Sequence, residues 1–98
     1  MTEEIDELIR GKMLHKLARI GKRKASHTAI ENLYGYLPRH MRDRAKVNVD
    51  ELIHRGILIK KVTGYGVHVS INYVREKINE IERLISKFLR SGVKFMFI

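Results

Sequence analysis

The chain has 98 residues, 44% of them hydrophobic, and a net charge of +9, which fits one small domain with an ordinary core. Because it contains no cysteine, a disulfide framework and a thiolate metal site are excluded. No apolar run approaches the roughly 20 residues that span a bilayer, and the acidic N-terminus does not resemble a signal peptide. We therefore expect a cytoplasmic protein without membrane contact.

The positive charge is concentrated in one part of the chain. Residues 1–9 carry four acidic side chains and no basic one, whereas residues 10–61 hold 14 Lys and Arg against 4 Asp and Glu, a net charge of +10. Such a block attracts polyanions, nucleic acid first and an anionic membrane surface second. The alternative is a charged surface that serves only solubility.

Apolar residues at helical spacing predict a first helix over residues 3–20. Gly11 lies inside it and weakens it by about 1 kcal/mol relative to Ala. Gly21 is a suitable C-terminal stop. The basic segment 22–27 follows without periodicity, which is typical of a loop or a very short strand.

Two further helices are predicted in the middle of the chain. Thr28 and Glu31 have the spacing of a capping box and predict a short helix over about 29–34. Pro38 suits the first position of a longer helix, because the N–H group that it lacks is not needed there. That helix should run over about 38–55, with a buried stripe formed by Met41, Ala45, Val49 and Leu52.

A β-hairpin and a last helix complete the prediction. Residues 57–62 and 67–72 resemble strands on either side of a glycine-containing loop at 63–66, although the register between the strands stays open. Residues 73–90 have the apolar spacing of a coiled-coil seam. The seam residues are Val74, Ile78, Ile81, Ile85 and Phe88.

The start of the third helix carries charges of an unfavourable sign. The macrodipole places partial positive charge there, so each exposed cation costs about 0.3–1 kcal/mol. The cationic or titratable side chains are Arg39, His40, Arg42, Arg44 and Lys46. A bound anion would supply the missing negative charge. The alternative is a solvated basic face in which Asp43 pairs with Arg39 or Lys46.

The stretch 26–72, SHTAIENLYGYLPRHMRDRAKVNVDELIHRGILIKKVTGYGVHVSIN, resembles a winged helix-turn-helix domain. The whole chain is similar to small DNA-binding proteins of archaea and their viruses, some of which add a C-terminal dimerisation helix. The resemblance implies an α+β, mostly helical fold with three helices, a β-hairpin wing and an added C-terminal helix. The winged helix-turn-helix domain would span residues 1–72, and the dimerisation helix with its apolar tail would span residues 73–98.

In that family the third helix enters the DNA major groove and the wing touches the backbone or the minor groove. The resemblance therefore implies DNA contacts from the helix at 38–55 and from the wing tip at 63–66. The implied DNA-binding residues are Lys22, Arg23, Lys24, Ser26, Thr28, Arg39, His40, Arg42, Arg44, Lys46, Lys60, Lys61 and Tyr65. Arg39 is the candidate for a bidentate guanine contact, which is worth about 1–3 kcal/mol of discrimination.

Each of the outlying candidates has a structural alternative. Residues 22–24 can be an ordinary charged loop, Thr28 can serve only as a helix cap, and Tyr65 can fold back over the sheet. The seam of the last helix covers only about two and a half heptads. We interpret it as a helix with one face on its own domain and the other on a second copy; alternatively, it completes the core of a monomer.

The sequence thus favours a dimeric, sequence-specific double-stranded DNA-binding protein that regulates transcription. A non-specific chromatin-like or RNA-binding protein and a protein–protein interaction module are the alternatives. We predict no enzyme, because no nucleophile–base pair, paired buried carboxylates or phosphate-binding glycine loop is found. The five histidines lack metal-ligand spacing, so neither a metal nor another cofactor is predicted.

Overall fold

The computed structural model describes residues 2–21, 28–34 and 37–91. Within these residues, four helices and a three-stranded antiparallel sheet follow one another as α1 (Thr2–Gly21), β1 (Thr28–Ala29), α2 (Glu31–Tyr34), α3 (Arg39–His54), β2 (Leu58–Thr63), β3 (Gly66–Ile71) and α4 (Arg75–Ser91). The mostly helical α+β class is confirmed, and the predicted helices and hairpin strands are present within about two residues of their predicted ends. None of the described helices has the length and apolarity needed to cross a membrane.

The second helix is shorter than predicted because its expected first residue, Ala29, belongs to the sheet. Thr28 and Ala29 form β1 and pair with the central strand β3. The Thr28 hydroxyl accepts a hydrogen bond from the Asn32 side chain at 3.1 Å. Helix α2 begins only at Glu31. The predicted start at residue 29 is therefore wrong, since backbone pairing with β3 satisfies the groups that a helix turn would otherwise have used.

The turn between β2 and β3 is organised by one side chain. Thr63 pairs with Gly66, which leaves a two-residue turn at Gly64 and Tyr65. The Thr63 hydroxyl donates to the carbonyl oxygen of Gly66 at 2.9 Å and accepts from the backbone N–H of Tyr65 at 3.1 Å. The turn length fixes the register that the sequence left open.

This register decides which side of the sheet each β2 side chain occupies. Leu58 pairs with Ile71, and both are buried. Because side chains alternate along a strand, Lys60 lies on the same side as Leu58, whereas Lys61 lies on the opposite side. The two neighbouring lysines therefore point to different surfaces of the hairpin.

Helix α3 ends in a Schellman motif. Gly56 has a φ of +79°, a conformation that glycine adopts without strain. Its N–H donates to the carbonyl oxygen of Ile53 at 3.0 Å, and the N–H of Ile57 donates to that of Leu52 at 2.9 Å. The Asn72 side chain adds a hydrogen bond to the carbonyl oxygen of Gly56 at 2.8 Å. These bonds fix the angle at which the hairpin leaves α3.

A single buried cluster joins α1, α2, α3, the hairpin strands and α4. It includes Ile9, Met13, Leu33, Val49, Leu52, Leu58, Val69, Ile81 and Leu84. The predicted boundary at residue 72 therefore does not separate two cores, because α4 packs along α1 as part of the same one. The predicted apolar tail, at residues 93–98, lies outside the described residues.

Candidate nucleic-acid interface

Helix α3 begins without a capping side chain. Pro38, predicted as the first helical residue, is the N-cap, so the helix begins one position later than predicted; in the described chain no side chain caps the helix start. The first turn contains no acidic residue. Arg39 and His40 are both exposed there. The N–H of Met41 donates to the carbonyl oxygen of Pro38 at 2.9 Å. The helix start therefore combines the uncapped N–H groups of Arg39 and His40, the positive end of the macrodipole and an exposed arginine, an arrangement that favours anions.

Arg42 is half-buried beside this helix start. Its Nε donates a hydrogen bond to the carbonyl oxygen of Leu37 at 3.0 Å. The contact braces the connection between α2 and α3.

Arg44 is held by α1. Its Nε lies 2.7 Å from Oδ1 of Asp6, and the two side chains are 42% and 21% exposed. The negative charge of the N-terminal segment is thus brought onto the basic surface of α3. An anion that bound Arg44 would compete with Asp6 for this guanidinium group.

Asn48 connects α1 and α3 below this ion pair. Its amide oxygen accepts from Nε of Arg10 at 2.6 Å, and its amide nitrogen donates to Oδ1 of Asp6 at 3.0 Å and to the carbonyl oxygen of Arg44 at 2.9 Å. Asn48 is 1% exposed. The hydrogen bonds satisfy a polar group in the core and fix the distance between the two helices.

Lys46 packs against α2. Its ammonium group lies 5.6 Å from the ring centroid of Tyr34, within cation–π range. Burial, together with the charges of Glu31 and Asp50, raises the pKa of Tyr34 above its ordinary value, so the ring stays neutral near pH 7. Lys46 is exposed and positioned by this ring.

The hairpin displays its predicted residues to solvent. Lys60 and Lys61 are exposed on β2, and Tyr65 at the turn is 98% exposed. The alternative in which Tyr65 folds back over the sheet is therefore wrong. An exposed aromatic side chain at a hairpin tip can pack on a sugar or stack on an unpaired base.

The candidates before α2 divide into two groups. Lys22, Arg23, Lys24 and Ser26 lie outside the described residues. Thr28 is half-buried in β1, and its hydroxyl is engaged by Asn32. The structure thus gives Thr28 a role in joining the sheet to α2.

A recess of about 400 Å³ lies along the outward face of α3. It is lined by Asp6, His40, Asp43, Arg44 and Val47. The recess places two carboxylates next to an arginine and a histidine. Across the described part of the chain, however, no group of three or more His, Cys, Asp or Glu side chains could hold a metal ion.

Most of the α4 seam is occupied within the chain itself. Ile81 is 4% exposed, and Ile85 and Phe88 pack against the same buried cluster. Ile78 is half-buried, while Val74 is 44% exposed. Val74 is therefore the most exposed of the five seam residues, and dimerisation stays a prediction.

The sequence interpretation missed the contacts that α1 makes with α3. Nothing in the chain order indicates that Asp6 meets Arg44 or that Arg10 meets Asn48. The one available signal is the position of Asn48, which adjoins the predicted buried stripe at Val49 and Leu52. A polar residue beside such a stripe needs a partner when it is buried.

Comparison with known proteins gave no relative: no family model matches this chain, and neither does any curated protein or any solved structure.

Proposed function

We propose that this chain is a winged helix-turn-helix protein that binds double-stranded DNA sequence-specifically as a regulator of transcription. Helix α3 would lie in the major groove, and the β2–β3 hairpin would be the wing. One observation carries the proposal: the uncapped, acid-free start of α3 displays Arg39 and His40 to solvent. In helix-turn-helix docking this part of the recognition helix faces bases and backbone.

The outward face of α3 also favours base reading over phosphate contact alone. Asp43 is exposed on this face, one turn after Arg39. A carboxylate repels phosphates, but it can accept a hydrogen bond from the amino group of cytosine, as Arg can donate two to guanine. We therefore propose that Arg39, His40 and Asp43 meet base edges.

Phosphate contacts would come from the cations around this face. Lys46, which lies over the Tyr34 ring, and Arg42, near the helix start, are positions on α3 beside this face. Lys60 or Lys61 would add contacts from the wing. Arg44 would reach a phosphate only by leaving Asp6, so its contribution is reduced by that exchange.

The experiment is fluorescence anisotropy of labelled duplexes across a salt series, with random DNA, single-stranded RNA and a pool enriched by selection. We expect one duplex to be preferred by about a thousandfold over random sequence. Arg39→Ala should cost about 1–3 kcal/mol and relax preference at one base pair. Arg75→Ala is the matched control, because Arg75 is the exposed first residue of α4.

A non-specific nucleic-acid binder is the second candidate, and the basic block of residues 10–61 supports it. Phosphate contacts carry no sequence information. Equal affinity for all duplexes, with a slope of about 0.9 per neutralised phosphate in log affinity against log salt, would establish it. An absence of binding at low salt would contradict both candidates and favour a protein partner.

A further inference from the structure

A second basic recess lies where α1 meets α4. Its volume is about 240 Å³, and it is lined by Lys12, His15, Lys16, Arg19 and Phe88. The four α1 residues are spaced so that they share one helix face. Among the described lining residues there is no carboxylate, in contrast to the recess on α3, which Asp6 and Asp43 line.

This recess faces a different direction from the proposed DNA-binding surface of α3, which includes Arg39, His40 and Asp43 and is called the α3 surface below. Asp6 and Arg10 mark the side of α1 that contacts α3. At 3.6 residues per turn, the basic face centred on Lys12 and Arg19 lies roughly 150° around the helix from them. A ligand could therefore occupy this recess without meeting the proposed recognition helix.

Phe88 of α4 positions the basic side chains. The ammonium group of Lys12 lies 5.2 Å from the centroid of the Phe88 ring, and the His15 ring lies 6.3 Å away at a tilt of 43°. Phe88 is itself packed against the core. The Phe88 ring thus positions the Lys12 and His15 side chains at the recess.

The basic side chains of the recess lie close together and are partly buried. Burial first, and then the charges of Lys16 and Arg19, lowers the pKa of Lys12. Burial first, and then Arg19 and Lys12, lowers the pKa of His15. An anion in the recess would offset this repulsion, and an anion with several oxygens could accept from several of these donors together.

We propose that this recess binds phosphate groups, at a site separate from the α3 surface. The chemistry fits a free polyphosphate or the phosphodiesters of a second nucleic-acid segment. It does not rest on the proposed function of α3, because none of its residues belongs to that surface.

The test is an NMR titration of the whole chain with inorganic tripolyphosphate, read from backbone amides and the histidine ring signals. We expect saturable shifts over residues 12–19 and at Phe88. The pKa of His15 should rise on binding, since the anion stabilises the imidazolium form. Shifts that do not saturate, or that appear only at the start of α3, would overturn the proposal.

Charge variants localise the site. The Lys16→Gln and Arg19→Gln pair should weaken tripolyphosphate binding by about tenfold or more, and the stronger Lys16→Glu and Arg19→Glu pair should abolish it. Arg75→Gln with Arg90→Gln removes the same charge from exposed positions on α4 and should change the affinity by less than about twofold. Equal losses in both sets would mean that only net charge matters. The milder pair keeps the test valid if charge reversal impairs folding.

A competition experiment with DNA duplex distinguishes a free polyphosphate from the phosphodiesters of nucleic acid as the ligand. If an unlabelled duplex displaces tripolyphosphate from residues 12–19, the site takes nucleic-acid backbone; if it does not, the site takes a free polyphosphate. Arg39→Ala should weaken duplex binding at α3 and leave tripolyphosphate binding unchanged. Duplex binding thus tests the proposed function of α3, and tripolyphosphate binding tests the recess independently.

Discussion

Gly11 of α1 and Leu84 of α4 lie with their backbones in direct contact. A Cβ atom added at Gly11 would overlap the carbonyl oxygen of Leu84 and lie only 2.8 Å from Cβ of Phe88. The absence of a side chain at position 11 therefore allows the two long helices to cross closely. The residue that weakens α1 as an isolated helix makes its packing possible.

We expect Gly11→Ala to lower the free energy of unfolding by about 1–3 kcal/mol through overpacking, despite the better helix propensity of alanine. The overlapping atom is a backbone oxygen, which cannot move aside as a side chain can. Denaturant unfolding measures the change. Gly64→Ala is the control, because nothing lies within 4 Å of a Cβ there. A Gly11→Ala variant as stable as the parent would contradict the helix crossing.

The packing of α4 makes a prediction about oligomeric state. Ile81→Ala should lower the free energy of unfolding by about 2–5 kcal/mol, because the side chain is buried in the core of one chain. The loss should not vary with protein concentration. Denaturant unfolding of the parent and the variant, measured over about a hundredfold range of protein concentration, tests this. A concentration-dependent midpoint abolished by Ile81→Ala would instead place Ile81 in a dimer interface.

The ion pair between Asp6 and Arg44 should restrain DNA binding. We expect Asp6→Asn to tighten duplex affinity about threefold to tenfold and to raise the salt slope by about one phosphate, since Arg44 is then available. An asparagine can still accept from Asn48, and an exposed ion pair contributes only about 0–1 kcal/mol to stability. Glu4→Gln removes a charge from an exposed position on the same helix and serves as control. Unchanged or weaker binding by Asp6→Asn would exclude Arg44 as a phosphate contact.

The hairpin register makes Lys60 and Lys61 a matched pair. Lys60 shares the side of β2 that faces the core and α3, whereas Lys61 faces away. We expect Lys60→Ala to reduce duplex affinity and to lower the salt slope by about one, and Lys61→Ala to have the smaller effect. Both variants should fold normally, because both side chains are exposed. The reverse order of effects would mean that the opposite side of the hairpin meets the DNA.

Glu7 should make stability depend on acidity. Hydrogen bonds from Lys87 at 2.6 Å and from Arg83 at 3.2 Å hold the pKa of Glu7 below its ordinary value of 4.5. The depressed pKa contributes stability that is complete above the unfolded value and is lost as pH falls through the folded value.

We therefore expect Glu7→Gln to destabilise the protein near pH 7, and we expect this loss to shrink as pH falls below 4.5 and through the lowered folded pKa of Glu7. Unfolding free energies of parent and variant across a pH series from 7 downward measure this. Glu82→Gln, at an exposed position on α4, is the control. A loss that stays constant across the whole pH series would show that Glu7 acts through packing and not through its charge.

Local patterns in the sequence predicted most of the elements correctly. Period-3.6 spacing located α1, α3 and α4, and glycine between two β-branched runs located the hairpin, because these signals depend only on neighbouring residues. The exposed positions of Arg39, His40, Lys60 and Lys61 were predicted as well. Charged side chains stay at the surface unless a partner is buried with them.

The sequence alone misplaced what depends on distant partners. Thr28 was predicted as a cap because its local spacing matches one, but pairing with β3 takes precedence. Gly11 was predicted as a weak point because propensity does not register a helix that crosses from α4. Arg44 was predicted as a DNA contact, and its ion pair with Asp6 was missed because Asp6 lies 38 residues away in the chain.

By itself, the sequence determined the element order, the charge block of residues 10–61 and the apolar faces of the helices. Only the tertiary structure decided which apolar faces pack together, and it placed Ile81, Ile85 and Phe88 of the α4 seam against the chain's own core. It also divided the basic residues between the α3 surface and the recess on α1. The physical reason is range: propensity and periodicity act over a few residues, whereas packing and charge pairing act between any residues that the fold brings together.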